Sequence, residues 1–181
     1  SKSAFFEQSL YKHGWSVFKQ GRSEDCLPSF AGVLDEKLLE GGGREMKKLE
    51  ALPRADRELV EDTLRVMSIT FSYLEGAESL DGFVTQRGAR PYSHLMYSGL
   101  GDLYVDKQRY QDAAATYRAF VARDPNSDYA PNLAMQAIEA YRKGGFSQLV
   151  LEGKLEYVER YNFSTPFWKT RSRAEHGLVV Q

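Results

Sequence analysis

The fold of this chain is decided by one stretch, Tyr97-x2-Leu100-Gly101-x2-Tyr104, which continues into Ala113-x3-Tyr117 and Asp124-Pro125. This spacing is typical of a repeated unit of about 34 residues made of two antiparallel helices. We predict a first helix over 91–106, a turn over 107–109 and a second helix over 110–123. Proline cannot continue a helix, so Asp124-Pro125-Asn126 should end the second one. Gly101 and Ala113 are small residues at the positions where the two helices must come closest.

Further units are predicted on both sides of this clear unit, which covers residues 94–127. The run Leu10-x2-His13-Gly14-x2-Val17, followed by Cys26-x3-Phe30, predicts a unit over 7–38. Leu133-x3-Ala137 and the turn Lys143-Gly144-Gly145 predict one over 130–161, in which Gly153 and Glu156 fit the pattern poorly. The spacing between the first and the clear unit leaves room for one degenerate unit over 61–88, with helices over 57–74 and 77–86.

Two segments fall outside these units. Residues 39–56 contain Gly41-Gly42-Gly43 and Pro53, which are typical of loops, so we predict an inserted, mobile loop there. Ser164-Thr165-Pro166 offers a capping hydroxyl and a proline for a first turn, which predicts a terminal helix over 166–175. That helix is either the cap that repeat arrays need or the first helix of a further unit, which we favour. We expect a single all-α domain over 1–181, cut from a longer protein.

Composition excludes several classes of protein. Hydrophobic residues make up 42% of the chain, charged residues 27%, and the net charge is -1. This near-neutral balance gives no reason to expect a nucleic-acid partner. No apolar run approaches the roughly 18 residues of a membrane span.

Cys26 is the only cysteine, so an intramolecular disulfide is impossible. The start Ser-Lys-Ser-Ala-Phe shows no signal-peptide pattern and is interpreted as that of an excised or processed segment.

On these residues the chain resembles the tetratricopeptide repeat (TPR) family, most closely over 94–127, then over 7–38, and more distantly over 61–88 and 130–161. The stretches 14–22 and 110–114 look most like bacterial envelope-associated TPR proteins. The resemblance implies a right-handed superhelical stack of antiparallel helix pairs, a TPR-like solenoid, whose concave face is lined by the first helix of each pair. It favours the periplasm or cell envelope over the cytoplasm.

The resemblance also implies which side chains contact a partner, because TPR proteins usually bind peptides in the concave groove through fixed positions of the first helices. In this sequence those positions are Tyr11, Trp15, Phe18, Lys19, Arg65, Ile69, Ser72, Tyr73, Ser98, Asp102, Val105, Asp106, Ile138, Tyr141 and Arg142. Tyr11, Trp15 and Phe18 share one helix face. That stripe either packs on a neighbouring helix or anchors a hydrophobic peptide. Asp102 and Asp106 would give the groove acidic character.

Catalytic residues are scarce. His13, His94 and His176 share no metal-ligand spacing, and Cys26 is expected to be a buried, inert packing residue. Gly41-Gly42-Gly43 is not followed by the lysine of a phosphate-binding loop. We therefore expect no enzymatic activity, no cofactor and no metal.

The expected function is a non-enzymatic interaction scaffold that binds a partner protein or peptide in the concave groove, within bacterial cell-envelope assembly. The alternative is a structural spacer or dimerisation segment of a larger TPR protein that has no groove ligand of its own. A partner protein or peptide of unknown identity is expected, without nucleic acid and without a membrane span. Homo-oligomerisation is left open.

Overall fold

The computed structural model describes residues 3–40, 43–169 and 171, and within these ranges the chain is helical apart from one short hairpin and the connections between helices. The all-helical fold class predicted from the sequence is confirmed. The helices are α1 (Ser3–Lys19), α2 (Ser23–Leu38), α3 (Arg54–Tyr73), α4 (Ala77–Arg87), α5 (Ser93–Asp106), α6 (Tyr110–Arg123), α7 (Ala130–Lys143), α8 (Ser147–Tyr161) and α9 (Pro166–Lys169).

The observed helix bounds follow the turn and stop signals of the sequence. Helix α6 begins at Tyr110 and ends at Arg123, as predicted, and the amide of Asp124 closes its last turn by donating to Phe120 O at 2.9 Å. Helix α3 begins at Arg54, before its predicted start. Helix α9 ends at Lys169. Positions 170 and 172–175 of the predicted terminal helix lie outside the described residues.

Residue contacts divide the chain into two compact units, Ser1–Leu100 and Gly101–Gln181, with the boundary inside α5. In the first unit α1 packs against α2, α2 against α3, and α3 against α4. In the second unit α6 packs against α7, α7 against α8, and α8 against α9. Each of these contacts joins two helices that follow one another in sequence.

The packing of α1 against α2 centres on Phe30, which is fully buried. Its ring lies directly over Gly14, where an added Cβ would be 2.8 Å from Phe30 Cε1. Tyr11 and Trp15 approach the same ring edge-on, each with a centroid separation of 6.3 Å. The missing side chain at Gly14 thus gives Phe30 the space that it fills between the two helices.

A second glycine–aromatic contact joins α5 and α6 inside the second unit. A Cβ added to Gly101 would be 2.2 Å from Tyr117 Cε1. The Tyr117 ring is buried, and its hydroxyl donates to an Asp102 carboxylate oxygen at 2.6 Å. The structure therefore places Gly101 at the close helix approach that the repeat spacing predicts.

The inserted segment, predicted to be a loop over 39–56, contains regular structure. Strand β1 (Leu39–Glu40) pairs antiparallel with β2 (Glu45–Met46), a 3-10 helix covers Leu49–Ala51, and α3 already begins at Arg54. Gly43 makes the reversal possible, because its φ of +89° is a conformation that favours glycine. Its amide donates to Glu40 O at 2.9 Å. Gly43 therefore belongs to the turn of a short hairpin, whereas residues 41 and 42 lie outside the described residues.

An ion cluster connects the end of this segment to the first two helices. Lys37 Nζ on α2 lies 2.5 Å from a Glu7 carboxylate oxygen on α1 and 2.8 Å from one of Asp56 on α3. Glu7 is buried. Burial lowers the pKa of Lys37, but the hydrogen bonds to Asp56 and Glu7 outweigh it, so that pKa is raised. The lysine therefore stays charged between two carboxylates.

Lys37→Met is expected to lower the free energy of unfolding by about 2 kcal/mol, because Glu7 would be left buried without a cation. The double variant Lys37→Met/Glu7→Gln should recover most of this loss, since it leaves no buried charge at Glu7. Urea unfolding followed by circular dichroism measures both. Lys12→Met, on an exposed position of α1, is the matched control and should change stability by less than about 0.5 kcal/mol. A double variant as unstable as the single one would contradict this account.

The buried His94 lies in the first turn of α5. Its Nδ1 lies 3.1 Å from Pro91 O, and the residue is 5% exposed. Burial lowers the pKa of His94 to about 4, although the hydrogen bond to Pro91 acts in the opposite direction. The imidazole is therefore neutral in the folded chain at neutral pH.

Acidification is expected to destabilise the protein through His94. Its folded pKa lies below the unfolded value of about 6.5, so the stabilisation is complete above pH 6.5 and is lost as the pH falls through 4. These pKa values predict a loss of about 2 kcal/mol between pH 7.5 and pH 5. Urea midpoints at several pH values measure it. His94→Gln should flatten the profile. Equal slopes in the parent and His94→Gln would refute the assignment.

Candidate functional site

A groove of about 420 Å³ lies on the second unit, lined by α6, α7 and α8, and is called here the α6–α8 groove. Its volume is in the range of sites that hold ligands or peptide side chains. Helix α6 contributes a stripe of small residues one turn apart, Ala115, Ala119 and Ala122. These short side chains leave the space that forms the groove.

Close packing of α8 on α7 forms another wall of the groove. A Cβ added to Gly153 of α8 would be 2.9 Å from Ile138 Cγ1 of α7. Ala134, Ala137 and Ile138 line the groove from α7. A larger residue at Gly153 would push the two helices apart, so this glycine sets the wall that α7 and α8 present together.

Three tyrosines, Tyr141, Tyr157 and Tyr161, add aromatic surface to the groove. The Tyr157 and Tyr161 rings pack with centroids 5.2 Å apart. Burial raises the pKa of both tyrosines, so they are neutral at physiological pH. The rings therefore offer apolar faces together with uncharged hydroxyl groups, a combination common at protein interfaces.

Three charged residues of the lining form a network between α6 and α8. Arg118 Nη1 of α6 lies 3.0 Å from Glu156 Oε2 of α8, and Arg160 Nη2 lies 3.5 Å from Glu156 Oε1. The three side chains are between 38% and 47% exposed. Ion pairs with this exposure typically contribute about 0–1 kcal/mol. Two guanidinium groups thus share one carboxylate in a weak, solvent-accessible network.

Of the binding residues predicted on α7, two line this groove. Ile138 and Tyr141 belong to its lining. Arg142 is not among the lining residues, and it pairs with Glu139 on its own helix at 2.7 Å. Of the three residues predicted on α7, Ile138 and Tyr141 are therefore the two that line the α6–α8 groove.

The residues predicted on α1 form a second, shallow depression on the first unit. Tyr11, Trp15 and Lys19 line it, and Phe18 packs edge-on against Trp15 with centroids 5.6 Å apart. Since Tyr11 and Trp15 also pack on Phe30 of α2, the aromatic stripe is largely part of the helix packing. Its outer edges remain half-exposed.

Asp62 connects the predicted residues of α1 and α3. Its carboxylate accepts hydrogen bonds from the Tyr11 hydroxyl and the Arg65 guanidinium. Burial raises the pKa of Asp62, but these two hydrogen bonds outweigh it and lower that pKa overall. Elsewhere on α3, Ile69 and Ser72 are half-buried, and Tyr73 is exposed.

The residues predicted on α5 are not brought together as an acidic site. Asp102 holds the buried Tyr117 hydroxyl, which ties it to helix packing. Asp106 is exposed, and Val105 and Ser98 are half-buried. Asp102 and Asp106 are on the same helix but do not line the α6–α8 groove.

Sequence reasoning missed the charged network of Arg118, Glu156 and Arg160. All three lie on second helices of their pairs, whereas the resemblance directs attention to first helices. A signal was present, because Gly153 and Glu156 fit the repeat pattern poorly. Both of these misfits line the groove.

The remaining observations concern metal binding, membrane-spanning helices and similarity to known proteins. The described ranges contain no cluster of three or more His, Cys, Asp or Glu side chains suited to a metal ion. None of the helices that the structure describes combines the length and apolar character needed to cross a bilayer. No family model, curated protein or solved structure matches this chain.

Proposed function

We propose that this protein is a non-enzymatic, TPR-like interaction scaffold that binds a helix or an extended segment of a partner protein in the α6–α8 groove. The observation that carries the proposal is the groove itself, with its alanine stripe, its tyrosines and its few charged groups. Amphipathic segments of partner proteins bind in grooves of this composition. The proposal keeps Ile138 and Tyr141 as partner-contacting residues.

The TPR resemblance supplies the rest of this proposal. It includes the right-handed superhelical stacking of helix pairs and a place in bacterial cell-envelope assembly, in the periplasm. The support is the repeat spacing together with the helix bounds and the glycine contacts at Gly14 and Gly101.

The proposal is tested by photo-crosslinking in cells of the source organism. A benzoylphenylalanine is placed at Ala122, an exposed groove residue, and as a matched control at Gln111, an exposed residue of α6 outside the lining. A partner protein crosslinked from position 122 but not from position 111 would support groove binding. A folded, expressed protein that crosslinks no partner from position 122 would contradict it.

One observation favours the spacer or dimerisation alternative. Leu151, Leu155 and Val158 form a stripe along α8 and are 61%, 59% and 61% exposed. A contiguous exposed apolar stripe is typical of a surface that another element covers. Sedimentation velocity of the parent and of Leu155→Glu tests self-association through this stripe. Concentration-dependent dimerisation that Leu155→Glu abolishes would favour the alternative.

A further inference from the structure

We propose that the segment bound in the α6–α8 groove is acidic, and that one of its carboxylates replaces Glu156 between Arg118 and Arg160. This inference rests on the proposed function, because it specifies the chemistry of the same partner. Its basis is the balance of charge and hydrogen-bond donors at the groove.

The two guanidinium groups come from different helices and meet at one acceptor. Arg118 on α6 and Arg160 on α8 approach opposite oxygens of Glu156, at 3.0 and 3.5 Å. Charge-assisted N–H···O bonds are usually about 2.7–2.9 Å long, so neither contact is an optimal pair. Each guanidinium has five N–H donors, and one carboxylate cannot accept from all of them. The network of Arg118, Arg160 and Glu156 therefore has more N–H donors than its carboxylate can accept from, and it carries a net charge of +1.

Exchange of carboxylates at this position has a low cost. Glu156 is 47% exposed, so its side chain can turn to solvent without entering an apolar region. Its ion pairs are open to solvent and therefore contribute little stability in the unoccupied groove. A bound segment would cover the groove and reduce access of water, which strengthens the attraction between its carboxylate and the arginines. The ion pair between the partner's carboxylate and the two arginines is thus favoured over the pair that Glu156 makes with them.

The same geometry discriminates against other segments. A lysine or arginine beside the apolar face of the partner would meet two guanidinium groups, and like charges brought together at an interface cost affinity. A neutral segment would fill the apolar part of the groove without compensating the excess charge. We therefore expect affinity to decrease from acidic through neutral to basic segments.

The test uses a phage-displayed library of amphipathic helical peptides, selected against the full chain. Apolar residues are fixed at i, i+4 and i+7, and the flanking positions are randomised. Asp and Glu are expected to be enriched over Lys and Arg at those positions. Ala122→Trp fills the groove and should lose the selected peptides. Gln111→Trp, on the same helix outside the groove, should retain them. Circular dichroism verifies that each variant is folded.

Arginine variants then separate this inference from the proposed function. Arg118→Gln/Arg160→Gln should weaken binding of the selected acidic peptides about tenfold, and Arg118→Glu/Arg160→Glu should reverse the preference toward basic peptides. Peptides that are lost in Ala122→Trp but show no acidic preference and no response to the arginine variants would overturn this inference alone. Selection of no peptide that depends on the groove would overturn the proposed function as well.

Discussion

Phe30→Ala is expected to lower the free energy of unfolding by about 3–5 kcal/mol, as large-to-small substitutions of buried aromatic residues do. The ring is fully buried and lies over Gly14, which has no side chain to fill the resulting cavity. Tyr11 and Trp15 would also lose the ring on which they pack. Urea denaturation of the full chain, followed by far-ultraviolet circular dichroism, measures the effect.

Phe5→Ala is the matched control for this prediction. Phe5 is on α1 and is 82% exposed, so the same change of side chain should cost less than about 0.5 kcal/mol. Similar losses for Phe30→Ala and Phe5→Ala would mean that Phe30 does not hold α1 and α2 together.

Gly101→Ala is expected to destabilise the protein by about 3 kcal/mol, at the upper end of the usual overpacking cost. The new methyl group would lie 2.2 Å from Tyr117 Cε1 and 2.5 Å from Cζ. The ring cannot move away freely, because it is buried and its hydroxyl is bonded to Asp102. Alanine also favours the helical state by roughly 0.5–1 kcal/mol, so the sign of the measured change shows which effect dominates.

Gly82→Ala on α4 isolates the helix-propensity effect. Beyond the adjacent backbone of its own helix and its chain neighbours, nothing lies within 4 Å of a Cβ built at Gly82, so this variant should be about 0.5–1 kcal/mol more stable than the parent. Tyr117→Leu should partly relieve the clash, making Gly101→Ala/Tyr117→Leu less destabilised than the sum of the single changes. If Gly101→Ala stabilises the chain as Gly82→Ala does, the close approach is refuted.

Local signals in the sequence were sufficient for most helix bounds. Tyr110 and Arg123 are the observed ends of α6, because a turn precedes the helix and Asp124-Pro125 follows it. Proline and glycine determine the backbone conformation at and next to their own positions, so the helix ends that they cause can be predicted from a few neighbouring residues. The close approaches at Gly14 and Gly101 could be predicted for a different reason, because the repeat spacing places a small residue of the first helix opposite an aromatic residue of the second.

The inserted segment shows where local signals fail. The glycine run before Arg44 indicated a loop, but Leu39 and Met46 pair across it. The first turn of α3 is held by the ion pair between Asp56 and Lys37. These two residues are distant from each other in sequence. Pairing between distant residues leaves no pattern in either segment by itself.

The candidate site was only partly predictable, for a related reason. Ile138 and Tyr141 were found through the positions that the TPR resemblance implies. Arg118 and Glu156 lie on different helices, and their contact exists only after α6 and α8 have packed on α7. Asp102 was predicted as a groove acid, and its bond to Tyr117 likewise depends on helix packing.

The division of the chain into two units has a spectroscopic consequence. The sequence contains two tryptophans, Trp15 in the first unit and Trp168 in the second. Trp168 is buried, and its indole N–H donates to Tyr161 O at 2.7 Å, so its emission should shift to the red on unfolding. Trp15→Phe and Trp168→Phe therefore each leave one fluorophore that reports on one unit. Because α5 crosses the boundary, coupling between the units becomes measurable as the difference between two fluorescence midpoints.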